Sequence, residues 1–491
     1  MMTTGMISRS IRNAAMYGML VAVVGCAAGP EYHRPSLPAP AQWTRETPAA
    51  TVAAVGAQGT AQRFDPSLEV ERRWWTRFGS RALDQLVADA FAHNPNVDAA
   101  AAALRAAQEN LAAQRATFLP SVQIGYSPSR QQNAVGTLSP TLTSGAAQYT
   151  LHTTQLTIGY APDVFGLNRR TVESLAAQSE QQRAQLDATY LTLAANVVAA
   201  VIQEASLRAQ IDAMNDIIAV DAKSLDLLRA QAGAGYANGL DVAAQVGALA
   251  SAQAGLPPLQ KQLEQTRDQL AILVGKTPDQ AGPDRFDLTT LELPATLPLA
   301  LPAQAVGQRP DVRAAEALVK SASAQVGIAV ANRLPQISIN ASYGGSAEAF
   351  SRMFDAGNVF WSVVGNAAMT VFDFGALKHR QGSAEAALDQ AAAQYRAVAL
   401  AAFQNVADVL YALDADARAL VAAEHAESAA KTTLDLTRKQ HEFGYVNALA
   451  LYAAEQAWQQ ARIAHVQAQA MRLADTAALY QALGGNGGTA P

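Results

Sequence analysis

Arg115-Ala116-Thr117-Phe118-Leu119-Pro120-Ser121-Val122-Gln123-Ile124 joins two kinds of sequence. Ahead of it runs an Ala-, Leu- and Gln-rich stretch with helical character, Pro120 stops that stretch, and from Ser121 polar and apolar residues alternate as in a strand. The chain writes this passage twice. Asn332-Arg333-Leu334-Pro335-Gln336-Ile337-Ser338-Ile339 repeats it 215 residues later, and Asn94-Pro95-Asn96-Val97 returns at the same offset as Arg309-Pro310-Asp311-Val312. Asp163-Val164-Phe165-Gly166 and Gly235-Tyr236-Ala237-Asn238 return as Phe372-Asp373-Phe374-Gly375 and Gly444-Tyr445-Val446-Asn447, both at an offset of 209. A unit this long exceeds the ~20–50 residues of solenoid repeats, so the chain reads as two fused copies of one subunit. The difference between the offsets falls between Pro120 and Phe165, where a loop absorbs it at small cost.

Half of the 491 residues are hydrophobic and 16% are charged, against ~25% charged in ordinary soluble domains. Net charge is −5 and no Lys/Arg stripe is present, which speaks against nucleic acid as a partner. Arg9 and Arg12, an apolar run from Ala14 to Val24, then Gly25-Cys26 have the order of a secretory leader. That run is shorter than the ~20 residues a membrane-crossing helix needs. Val23-Val24-Gly25-Cys26 resembles the bacterial lipobox, which implies lipidation of Cys26, the chain's one cysteine, and Ala27 after it favours the outer membrane.

Residues 28–67 are rich in Pro, Ala, Thr and Gln without period and read as an extended segment lying over other structure. Cys26-Ala-Ala-Gly29-Pro30-Glu-Tyr32-His-Arg-Pro35, Trp74-Trp75-Thr-Arg-Phe78-Gly79-Ser-Arg-Ala-Leu83 and Asn94-Pro95, in this order, resemble the opening of the NodT-type outer membrane factor lipoproteins, the TolC- and OprM-like exit ducts of tripartite efflux pumps. The resemblance extends from Cys26 to about Gly484. It implies a homotrimer working with a periplasmic adaptor (membrane fusion protein) and an inner-membrane pump, in contact with outer-membrane lipid. The domains expected are a signal peptide (1–25), an extended segment (26–80), two repeats (81–290 and 291–484) and a disordered tail (485–491).

The residues support this independently. Asn168 to Ala232 and Ala376 to Glu442 are uninterrupted runs of helix formers, long enough for helices of roughly 100 Å at 1.5 Å per residue. Leu207, Ile211, Met214, Ile218, Leu225 and Leu228 form a four-three seam broken by Asp221, as in coiled coils; the second copy shows no equally regular seam. Shorter helices are expected over Arg81–Phe118 and Leu301–Arg333, and returning ones over Asp241–Ile272 and Ala448–Leu483, with Pro257-Pro258 breaking the first of these. Strands are expected from Val122 and Ile337, with return strands over Gln148–Ala161 and Phe360–Phe372. The fold class is thus mainly α with a membrane β-barrel: duplicated helical hairpins forming a long α-barrel, plus four strands per chain. Four strands are too few to close a barrel in lipid. Three chains give a 12-stranded barrel, the number of chains coming from the resemblance.

Catalysis finds no support. The seven histidines form no ligand spacing, no metal site is expected, no G-x-S-x-G or Walker sequence occurs, and no cofactor is expected beyond the covalent lipid. Two constellations remain. Arg169-Arg170 and Lys378-His379-Arg380 follow the two Phe-Gly turns, either as solvated surface or with Arg169, Arg170, Lys378 and Arg380 as anchors on inner-leaflet phosphates. The turns at Gly235-Tyr236 and Gly444-Tyr445 are hairpin tips which, by resemblance, close the periplasmic end and meet the adaptor. The resemblance places Leu449 at the pore, with Ala453 where relatives often carry Asp; Asp241 is either an acid near the tip or an N-cap. The function expected is an outer membrane channel passing small-molecule solutes such as drugs. The alternatives are a lipid-anchored coiled-coil spacer and an exit duct for type I protein secretion or metal-cation efflux.

Overall fold

The computed structural model describes residues 28–38, 40–45, 49–56, 58–132, 148–280, 282, 286–299 and 301–485. The leader, Cys26 and the last six residues lie outside them. In chain order the elements are β1 (Arg63–Asp65), a 3₁₀ turn (Trp74–Phe78), α1 (Arg81–His93), α2 (Pro95–Ala116), β2 (Ser121–Gln132), β3 (Gln148–Tyr160), α3 (Leu167–Gly233), α4 (Gly239–Leu273), β4 (Thr296–Pro298), α5 (Pro302–Gln308), α6 (Pro310–Ala331), β5 (Gln336–Ala347), β6 (Val359–Ala368), α7 (Ala376–Glu442) and α8 (Ala448–Ala482). The duplication is visible in the lengths. α3 and α7 have 67 residues each, α4 and α8 have 35, and α2 and α6 have 22.

The chain forms two compact units. The first contains residues up to Pro35, Arg105–Gln181 and Glu316–Gln394; the second contains Ser36–Leu104, Gln182–Ala315 and Tyr395 onward. The first holds a four-stranded antiparallel sheet in the order β2-β3-β5-β6. Its helices are joined by polar contacts, such as Ser174 Oγ to Ser321 Oγ at 3.0 Å and Lys320 to Glu180 at 3.0 Å. The second unit is organised on buried aromatics: Trp74 stacks on Tyr480 at 5.4 Å, with Trp75 and Phe78 beside it. Leu83, Val197, Val201, Val406 and Leu413 complete that core. A short parallel pair, β1 with β4, ties the N-terminal segment to the linker between the copies.

Several expectations are corrected. The helices ahead of β2 and β5 are each two helices, because Asn94 and Arg309 precede proline and take extended backbone. Asn94 then serves the break: its Oδ1 accepts from Asn96 N at 2.9 Å and its Nδ2 donates to Leu273 O at 2.9 Å. Pro257 and Pro258 do not break α4; they withdraw two donors from a helix of 35 residues, a local loss that the flanking turns tolerate. β6 ends at Ala368, not Phe372. Ala368 pairs with Gln336, and the next partner, Pro335, has no N–H to give the ladder.

In α3, Leu207, Leu225 and Leu228 are buried as expected, but Ala213, Ile217 and Asp221 continue the seam while Ile211, Met214 and Ile218 are half-buried. The second copy has a regular seam after all: Tyr395, Ala399, Ala402, Val406, Leu410, Leu413, Ala417 and Leu420 are buried at spacings of three and four. Three of its members are alanines, which an apolar pattern in an Ala-rich helix hides.

Candidate functional site

Strand register sorts the sheet into two faces. Val122, Ile158, Ala341 and Val363 are paired neighbours in one row, and Ile124, Leu156, Tyr343 and Trp361 form the next. On the opposite face, Gln123, Thr157, Ser342 and Ser362 form one row. Ile124 is 78% exposed and Trp361 74%, so the apolar face is uncovered across all four strands. Side-chain alternation with one apolar face of this kind suits lipid on one side and water on the other. β2 and β6 each pair on one side only among the described residues.

The four cations separate. Arg170 is buried, and its donors serve the chain itself: Nε donates to Ala28 O at 3.0 Å, one terminal nitrogen to Gly29 O at 3.3 Å, and the other to Glu173 at 2.7 Å. It is therefore a clip for the N-terminal segment, which corrects its expected role as a lipid anchor. The clip depends on two glycines. A Cβ on Gly29 would sit 2.4 Å from Gly327 Cα, and one on Gly327 would meet Arg170 Cδ at 2.8 Å. Arg169 pairs with Asp163 at 3.3 Å, and the same carboxylate accepts from the backbone N–H groups of Asn168 and Arg169. That cap neutralises a cation placed unfavourably in a first helical turn. Lys378 and Arg380 are exposed.

The two tips are built alike. Gly235 and Gly444 have φ of +81° and +75°, and Tyr236 N and Tyr445 N donate back to Gln231 O and Gln440 O at 2.8 and 2.9 Å, closing both helices in the left-handed turn glycine permits. Asn238 and Asn447 cap the returning helices by accepting from Asp241 N and Ala450 N at 2.9 and 3.0 Å. Asp241 is thus not the cap; it lies in the first turn, where its charge suits the helix dipole. Tyr236, Tyr445 and Leu449 are exposed. His441 places Nδ1 3.1 Å from Val446 O. Among the described residues no three His, Cys, Asp or Glu side chains gather as a metal site.

The profile of the outer membrane efflux protein family matches residues 86–276 and 301–485, one match per copy. The chain belongs to that family. Curated relatives include the pyoverdine export outer membrane protein OpmQ of Pseudomonas putida, 28% identical over 84% of this chain and 88% of its own. The toluene efflux pump outer membrane protein TtgF of Pseudomonas putida is 28% identical over 95% of both chains. Among solved structures, the outer-membrane channel OprN gives a TM-score of 0.84 at 26% identity, covering 94% of this chain and 99% of that one. VceC of Vibrio cholerae gives 0.79 at 25%, covering 85% and 99%. This family member is accordingly an outer-membrane component of an efflux system, with the long-helix architecture of those channels.

Proposed function

We propose that three copies of this chain close one duct, and that an inner-membrane pump, linked through a periplasmic adaptor, expels small organic solutes through it without catalysis. The sheet carries this reading. Its uncovered apolar face calls for lipid, lipid does not tolerate open strand edges, and four strands fall short of the eight or so with which single-chain barrels begin. Pooling three sheets gives twelve strands and pairs β2 of one copy with β6 of the next. Two copies per chain then give six equivalent hairpins facing the adaptor.

Cys26 carries acyl chains in this reading, and Lys378 and Arg380, with Arg169 beside them, meet the inner-leaflet phosphates. Leu449 narrows the periplasmic throat by apolar contact, while the Gly235 and Gly444 turns and Asp241 set the helices around it. Solutes of the kinds named in the relatives, a siderophore or an apolar solvent, define the class of cargo. Deleting the gene should sensitise cells to a panel of toxic aromatic solutes and restoring it should reverse this. Unchanged intracellular accumulation of every member of the panel would overturn the reading.

A further inference from the structure

The apolar face of the sheet is bounded at the end away from the helices, where the connection from β5 to β6 folds back onto it. Met353 is 2% exposed there, Thr154 Oγ1 donates to its Sδ at 3.5 Å, and a Cβ on Gly345, the register partner of Thr154, would overlap its carbonyl oxygen. This brings the Phe350 ring edge-on to Tyr126 and His152, with centroids at 5.6 and 6.4 Å. Tyr126 and His152 stack at 6.1 Å, and the Tyr126 hydroxyl lies 2.8 Å from His152 Nδ1. Tyr126, Phe350 and Phe354 all remain exposed.

Register sets these groups at one level. Tyr126 pairs with Thr154 and Pro128 with His152; Arg130, opposite Thr150, comes next on the same face. Arg130 and His152 are thus diagonal neighbours, about 7–8 Å apart at the backbone. Tyr160 ends β3 on that face at the other end, 160 − 152 = 8 residues from His152. Eight residues span about 27 Å of strand, or about 20 Å of height at the ~40° tilt of such barrels, close to the ~25 Å apolar band of a membrane barrel. The cluster therefore stands where acyl chains give way to headgroups, the level that aromatic rings and cations favour. Its charge is one-sided. Residues 121–160 contain Arg130 and His152 but no Asp or Glu. In the neighbouring hairpin, Asp355 is taken by Arg352 at 3.3 Å, and Glu348 is exposed. Arg130 is exposed and makes no ion pair among the described residues.

We propose that Arg130 binds a phosphate of the outer leaflet's anionic glycolipid, with His152 beside it and Tyr126, Phe350 and Phe354 seated at the boundary between headgroup and acyl chain. A guanidinium offers phosphate two parallel N–H donors. When the Tyr126 hydroxyl donates to His152 Nδ1, Nε2 carries the hydrogen and can donate to a headgroup oxygen. That lipid covers this face rests on the barrel reading; the class of lipid and the residue that takes its charge go beyond it.

Titrating the full-length protein in mild detergent with bisphosphorylated lipid A, read by native mass spectrometry, tests the site. The wild type should retain this lipid, Arg130→Gln should weaken retention roughly tenfold, and Arg130→Lys should recover part of the loss. Lys378→Gln combined with Arg380→Gln, at the helix end of the sheet, should leave retention unchanged. Equal retention by the wild type and Arg130→Gln overturns the site, as does equal retention of lipid A stripped of its phosphates. Quenching of Trp361 fluorescence by brominated lipid in vesicles, taken as the difference from Trp361→Phe, reports separately that lipid covers the face. Quenching without an Arg130 effect would overturn this inference and leave the barrel standing; no quenching would overturn both.

Discussion

Leu207 and Thr266 of the first copy stand at the positions that Asp416 and Asp475 occupy in the second, and Leu263 stands where the second has Arg472. The helices carrying them match in length to the residue. What differs is a neighbour the duplication did not supply twice. There is one N-terminal segment, and it crosses the second copy's helix here: Arg472, fully buried, donates to Gln58 O at 2.8 Å, Thr51 Oγ1 at 3.0 Å and Thr60 O at 2.7 Å. Gln58 is held at a φ of +57° with its amide on Leu288 O and Leu291 O, and Gln62 bonds Thr476. In the other unit the same segment uses Gly327 and Glu316, whose counterparts in the first copy are Ala112 and Ala101. The copies thus keep their lengths and caps, which the repeated architecture needs, and diverge where a single strap must be gripped.

Converting one copy's residues into the other's breaks this comparison most directly. Arg472→Leu leaves two buried acceptors, Gln58 O and Thr51 Oγ1, and the part-buried Thr60 O without their donor, and should cost about 1–3 kcal/mol for each buried acceptor in the second unit, seen as a lower thermal midpoint and faster protease cleavage within residues 49–62. Gly327→Ala sets a methyl against the Arg170 side chain and should cost about 1–3 kcal/mol, with cleavage near residues 28–35. Where the copies agree, losses should agree too. Asn238→Ala and Asn447→Ala should each cost about 1 kcal/mol, read as equal increases in exchange at the two helix starts.

The remaining expected effect is a slope with pH. Burial, then the hydrogen bond and charge of Asp416, push the Asp475 carboxyl up to about 7 from an ordinary 3.8. The folded state therefore holds this proton more tightly than the unfolded chain does. Its stabilisation is full below the ordinary value and is lost as pH rises through about 7. Chemical denaturation at pH 6 and pH 8 should show the wild type weaker at the higher pH, and Asp475→Asn should reduce that difference.

Most of the architecture is legible in the chain because duplication writes it twice. Glycine and proline punctuation delimits the long helices to within a residue or two, and the two Leu-Pro passages mark the strand starts. Proline reads ambiguously in this chain: Asn94-Pro95 and Arg309-Pro310 mark the repeat and also carry the extended backbone that splits each helix in two, whereas Pro257-Pro258 suggests a break that a long helix absorbs. The Arg170 clip was invisible because its acceptors, the carbonyl groups of Ala28 and Gly29, are distant in sequence and carry no side-chain signature. Gly327 was the available signal, a glycine in mid-helix opposite Ala112. Asp221 shows in the sequence as a fault in a seam, and Gln245, whose side chain bonds it from the returning helix, has no pattern to announce it.

Closure of the sheet is the central claim, and native mass measures it directly. Protein extracted in mild detergent and examined by native mass spectrometry, or by light scattering corrected for detergent, should contain three chains of 51.5 kDa or slightly less after leader removal. A monodisperse monomer that retains its strands would contradict the account.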